Sequence, residues 1–186
     1  DTTIASLESR LDAAPDDREA WAALGFAYIQ QVRDTSDPSA YPIAEAALAR
    51  SLALQPTANT DAFLGMGTLA AERHDFALAL RWGRRAVRAA PFDADAYGLL
   101  GDAQLELGHY RAAFRSFQRM VDTRPNLASY GRVSYALELR GNVEGAFAAM
   151  RAAYDVAAGA ADAAWAAAHI AGFHFEAGRI QEARQW

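Results

Sequence analysis

The side chains here that could bind a metal or carry a proton near neutral pH are four histidines, His74, His109, His169 and His174. His169 and His174 stand five apart, on different faces of a helix, unlike the i, i+4 pair of a helical zinc site. No carboxylate or second histidine falls at ligand spacing from any of the four. The chain has no cysteine, which excludes thiolate metal sites, disulfides and a cysteine nucleophile. All 18 basic residues are arginine; no lysine is present for a phosphate loop or a Schiff base, and the usage suggests a GC-rich bacterial genome. Gly65-Met66-Gly67 lacks the third glycine and the preceding strand of a dinucleotide loop. The expectation is a non-enzyme with no cofactor and no metal.

The acidic residues carry more information. Glu72, Glu106 and Glu176 each lie two residues before a turn residue (His74, Gly108, Gly178), and Glu138 lies three before Gly141. The arginines recur differently: Arg81 and Arg85, Arg84 and Arg88, and Arg111, Arg115 and Arg119 advance by four, which gives each set one helix face. Arg50, Arg85 and Arg119 fall at equivalent places along the chain. These readings depend on the helices that carry the residues.

Those helices come from a repeat. Trp21-x-x-Leu24-Gly25, Phe63-Leu64-Gly65-Met66-Gly67, Tyr97-x-x-Leu100-Gly101 and Tyr130-x-x-Val133-Ser134 each set an aromatic, a large apolar residue three later in most copies, and a small residue close by. Pro56, Pro91 and Pro125 close successive copies at intervals of 35 and 34 residues. A period of this length is one supersecondary unit stacked on copies of itself. The periodicity predicts a leading helix over 1–15, a first repeat over 16–56 with a loop insertion at 32–40, and repeats over 57–91, 92–125 and 126–159. An incomplete fifth repeat follows over 160–186. Within them, helices are expected near 41–54, 60–72, 76–89, 94–107 and 110–121, with Gly108 and Gly141 at turns and His74 at the corresponding turn. The aromatic column and the helix-interior glycines read as packing residues.

The pattern Trp21-x-x-Leu24-Gly25-x-x-Tyr28, with Gly108-x-Tyr110-x-x-Ala113, Phe117 and Pro125, resembles the tetratricopeptide repeat over nearly the whole chain. The resemblance implies an all-α, right-handed superhelical solenoid of antiparallel helix pairs, and a scaffold that holds a protein or peptide in a concave groove lined by first helices. That family's two-carboxylate clamp needs basic and amide residues. The corresponding positions here, Ala22, Phe26, Gly65, Glu72, Asp95 and Leu99, supply none. The family frame instead aligns Phe26, Ile29 and Gln30 with Leu64, Thr68 and Glu72, with Asp102, Leu105 and Glu106, with Tyr135 and Glu138, and with Phe175 and Glu176. A groove of this kind favours a basic segment with apolar anchors, because a cleft lined by one sign of charge concentrates the other.

Composition bounds the partners. A net charge of −5 and a pI near 5.3 disfavour nucleic acid, whose phosphates call for a basic surface. No apolar run is long enough to span a bilayer. Residues 1–15 lack signal-peptide regions. The unfinished fifth repeat offers an alternative role, a structural or self-assembly module of a larger protein, membrane-anchored or enzymatic, with a homodimer through the C-terminal end. Compartment stays open.

Overall fold

The computed structural model describes residues 2–186, and among them every regular element is helical. The chain divides into two compact units, one up to Gly108 and one from His109 to Trp186. The first contains α1 (Thr2–Ala13), α2 (Arg18–Thr35), α3 (Tyr41–Leu54), α4 (Thr60–Glu72), α5 (Phe76–Ala89) and α6 (Ala94–Glu106). The second contains α7 (Tyr110–Thr123), α8 (Leu127–Glu138), α9 (Val143–Asp155), α10 (Ala160–Glu176) and the single turn α11 (Ile180–Ala183). In the first unit α2 pairs with α3 and α4 with α5, and the first helices α2, α4 and α6 lie side by side. In the second, α8 pairs with α9 and α10 packs on both. The fold is all-α and built of paired antiparallel helices in a repeating arrangement.

Local chemistry sets the helix ends. Asp17, Asn59, Asp75, Asp93, Asn126 and Asn142 each cap a helix by accepting from the backbone N–H three residues on, which satisfies a donor left without an intrahelical partner. The pair turns at Gly108, Gly141 and Gly178 have φ of 73–74°, and His74 takes φ 58° at the corresponding turn between α4 and α5. Glycine enters this left-handed region without steric cost, and His74 enters it with its ring packed edge-on to Phe76.

The 32–40 segment is largely helical. Val32 is 6% exposed, and continuing α2 to Thr35 buries it. The helix ends at Ser36, in the left-handed region, whose N–H donates to the Val32 carbonyl at 2.7 Å. A 3-10 turn, Pro38–Ala40, leads directly into α3, capped by Asp37 and holding Ala40 buried.

The first unit is centred on Leu48 of α3, fully buried among Ile29, Ala44 and Leu69. Its side chain lies against Gly25 of α2 and Gly65 of α4. A Cβ at Gly25 would stand 2.5 Å from Leu48 Cγ, and one at Gly65 would overlap Leu48 Cδ2. Gly67 gives the same relief to Leu99 of α6. Beside this apolar centre lies a buried polar junction. The Ser51 hydroxyl donates to the Arg18 carbonyl at 2.7 Å, and the Asn59 amide donates to the Ser51 carbonyl and hydroxyl at 3.0 Å each while its oxygen caps α4. The second unit is built on Met150, Ile170 and Phe173, with Ser134 of α8 donating to the Ala146 carbonyl of α9 at 2.7 Å.

Alanine is preferred to glycine in a helix by about 1 kcal/mol, so Gly65→Ala would stabilise an unconstrained α4. Here the added methyl meets a fully buried leucine, and a net loss of about 1–3 kcal/mol is expected in urea or thermal unfolding. Leu48→Ala alone should cost about 2–5 kcal/mol. The double variant should lose clearly less than the sum, because the leucine removed is the atom group the methyl meets. Strict additivity would place the cost of Gly65→Ala elsewhere.

Candidate partner-binding site

On the first-helix side of the first unit, Phe26 and Gln30 of α2 line a cleft of about 760 Å³ whose opposite wall is α1, with Thr2, Thr3 and Ser6. Ile29 also borders it but is 1% exposed and belongs to the core around Leu48. Leu64 and Thr68 of α4 are half-buried, and Leu64 packs on the cluster that holds Phe63. Asp102 and Leu105 of α6 are half-buried, whereas Glu106 is exposed and forms no ion pair.

Glu72 is occupied. Arg33 of α2 donates to its carboxylate from Nε at 2.9 Å and from a terminal nitrogen as well. Next to this pair, Tyr41 at the start of α3 lies under the Arg73 guanidinium, 5.7 Å from the ring centre, and Arg73 also donates to Glu45 of α3 at 2.8 Å. The result is a polar clasp joining the end of α2, the start of α3 and the end of α4. Arg33 lies in the segment expected to be a loop, so helix spacing by itself did not point to it. Burial, followed by the Glu72 charge, raises the Tyr41 pKa above its ordinary 10.0, since both disfavour the phenolate.

In the second unit Tyr135 and Phe175 are 51% and 65% exposed. Glu138 of α8 and Glu176 of α10 both line a small cleft of about 250 Å³ that also includes His169 and Gly172. Neither glutamate has an ion-pair partner among the described residues. Two of the four helix-end acids are thereby brought together without a neutralising cation. Glu72 and Glu106 belong to the other unit.

His74, His169 and His174 have local partners. His169 bonds through Nδ1 to the Trp165 carbonyl at 2.8 Å and its ring lies 4.1 Å from the indole. His174 accepts from Arg179 Nε at 3.0 Å and packs edge-on against Phe147. His109 occupies the residue before α7. Among the described residues no group of three or more histidines and carboxylates is arranged to hold a metal ion, and no helix is long and apolar enough to cross a membrane.

No protein-family model and no curated protein matches the sequence. Solved structures do. MamA from Desulfovibrio magneticus is 21% identical, with a TM-score of 0.62 over 82% of each chain. A thermophilic tetratricopeptide-repeat protein of Thermus thermophilus is 18% identical, with a TM-score of 0.73 over 89% of this chain and 86% of that one. PilF of Pseudomonas aeruginosa is 16% identical, with a TM-score of 0.75 over 90% and 72%. The fold is tetratricopeptide-repeat-like. At these identities the likeness concerns the backbone, and function rests on the residues of this chain.

Within the tetratricopeptide-repeat-like frame, several residues that could serve a partner hold the repeats together instead. Trp21 Nε1 donates to the Pro15 carbonyl at 2.8 Å, and the Tyr97 hydroxyl donates to the Pro91 carbonyl at 3.1 Å. Phe63 has no donor at that place. Arg85 stacks on its ring at 4.3 Å and itself donates to the Pro56 carbonyl at 3.1 Å. Arg50 reaches back to Asp16 at 3.0 Å. The arginines at equivalent positions in these two repeats are therefore engaged with preceding loops, while Arg81, Arg84 and Arg88 stay exposed on α5.

The clasp makes Tyr41 a reporter. In a 13C-tyrosine NMR titration Tyr41 should ionise above 10.0, and Glu72→Gln should return it part of the way, burial being the larger cause. A raised tyrosine pKa contributes stability below the unfolded-state value, and that contribution is lost as pH rises through the folded one. An unchanged Tyr41 curve in Glu72→Gln would remove Glu72 from the clasp.

Proposed function

We propose that the chain is a non-catalytic scaffold that holds a segment of a partner protein against the faces formed by its first helices. Partner segments carrying arginine or lysine beside apolar side chains are preferred. The observation that carries this reading is the pair of uncompensated carboxylates, Glu138 and Glu176, on one cleft, with Tyr135 and Phe175 exposed on the same two helices. Carboxylates held near one another without a cation gain from a guanidinium or ammonium supplied in trans, and exposed aromatics provide area for its aliphatic stem. In the first unit the exposed Glu106 follows Leu105 at the end of α6, while Phe26 and Gln30 line a separate cleft against α1. Glu72 is assigned to holding Arg33.

The test uses a fluorescein-labelled peptide of arginine and leucine and a matched peptide with glutamate for arginine, titrated into the full chain by anisotropy. Glu138→Arg/Glu176→Arg should weaken the basic peptide by about tenfold or more, a change of about 1.4 kcal/mol, and leave helix content unchanged. Equal binding by the reversed variant sinks the charge preference.

A second reading, self-assembly through the C-terminal end, is favoured by the exposure of Trp165, Phe175 and Ile180, at 44%, 65% and 43%. Exposed apolar side chains on α10 and α11 supply area for an interaction surface. Under this reading sedimentation velocity should give a concentration-dependent dimer that Phe175→Ser/Ile180→Ser dissociates. A monomer at every concentration excludes it.

A further inference from the structure

The second unit carries another cleft, of opposite polarity, between α7 and α8. It encloses about 520 Å³. Half-buried Phe114, Val133 and Leu137 form its floor, and exposed Arg111, Arg115 and Arg140 form its rim. Among the described residues no acidic side chain lines it, and none of the three arginines is paired with a carboxylate. On a chain of net charge −5, three uncompensated cations around an apolar floor are a local reversal of the background.

The geometry of Arg140 is specific. Its guanidinium lies over the Phe114 ring, 4.9 Å from the centre. A guanidinium held over a ring face by its cationic carbon still has N–H groups for two-point recognition of a carboxylate. Arg111 and Arg115 lie one helical turn apart on α7 and Arg140 lies in the turn after α8, so a ligand seated on Phe114 meets donors from α7 and from that turn. We propose that this cleft binds an acidic protein segment, an aspartate or glutamate flanked by an aromatic or aliphatic side chain. The apolar residue sits on Phe114, Val133 and Leu137, and the carboxylates engage the three arginines. A peptide fits better than a polyanion: the arginines surround one apolar floor instead of tracking along the surface, and the net negative charge of the chain repels an extended phosphate backbone. The site is separate from the Glu138 and Glu176 cleft and of the opposite preference, so the two can succeed or fail independently.

The experiment pans a displayed random-peptide library on the immobilised full chain and counter-selects on the Arg111→Glu/Arg115→Glu/Arg140→Glu variant. Retained peptides are expected to pair Asp or Glu with Phe, Trp, Leu or Ile. Their affinity, measured by anisotropy, should fall by about tenfold in the milder Arg140→Gln, the loss of one charge-assisted contact. It should remain unchanged in Arg81→Glu/Arg84→Glu on α5, which removes similar charge elsewhere. Arg140→Gln keeps the test decisive if the triple variant misfolds. The proposal is overturned by selection of peptides without acidic residues, by no selection at all, or by equal losses in the α5 variant. It is also overturned if a single-stranded oligonucleotide binds in the same arginine-dependent way with equal strength.

Discussion

Leu48 is fully buried on α3, and its side chain occupies the volume that a Cβ would need at Gly25 of α2 and at Gly65 of α4. The close approach of α2, α3 and α4 depends on that wedge. Two helix-interior glycines, each unfavourable for an isolated helix, let one leucine pack into the backbones of two neighbours. The arrangement recurs where Leu99 of α6 meets Gly67, so the side-by-side placement of α2, α4 and α6 follows from small residues receiving large ones. The face those helices present to a partner follows in turn.

Around this apolar centre, polar groups settle which ends meet. Prolines closing the repeats leave carbonyls that need donors, and Trp21, Tyr97 and Arg85 each supply one. The substitution of Arg85 for a ring donor is instructive: Phe63 has no polar atom, and an arginine stacked on it from the next helix takes over the bond. Asn59 and Ser51 solve the same problem inside the core, where an unpaired donor or acceptor would cost more than at the surface. The repeat is thereby held by apolar packing through its middle and by directed hydrogen bonds at its ends.

Charge is distributed unevenly over this frame. In the first unit Arg33, Arg50 and Arg73 form ion pairs that join neighbouring segments. In the second unit the glutamates Glu138 and Glu176 and the arginines Arg111, Arg115 and Arg140 are left without ion-pair partners, on different clefts. Exposed pairs contribute only about 0.2–1 kcal/mol to folding, so leaving these charges free costs little stability while keeping them available to a ligand.

Periodicity and proline spacing determined by themselves that the chain is a repeat of helical segments with turns at His74, Gly108, Gly141 and Gly178, and the resemblance those residues carry implied the all-α helix pairs. These are properties of backbone propensity and of short segments, and they are written locally. The resemblance to the repeat family pointed to Phe26, Ile29 and Gln30 with equal weight, yet only the packed structure separates Ile29, in the core, from Phe26 and Gln30, on a cleft. The local reading placed a loop at 32–40 because turn-forming residues cluster there, and could not weigh the gain from burying Val32 by continuing α2. Glu72 and Glu138 looked alike for a related reason. Whether a carboxylate is free depends on which cation another helix brings within reach, and a partner 39 residues away has no signature in helical spacing. Tertiary structure alone decided that Arg33 takes up Glu72, that Glu138 and Glu176 line one cleft, and that three arginines gather around Phe114, because charge pairing and clefts arise from distances between segments that local sequence does not encode.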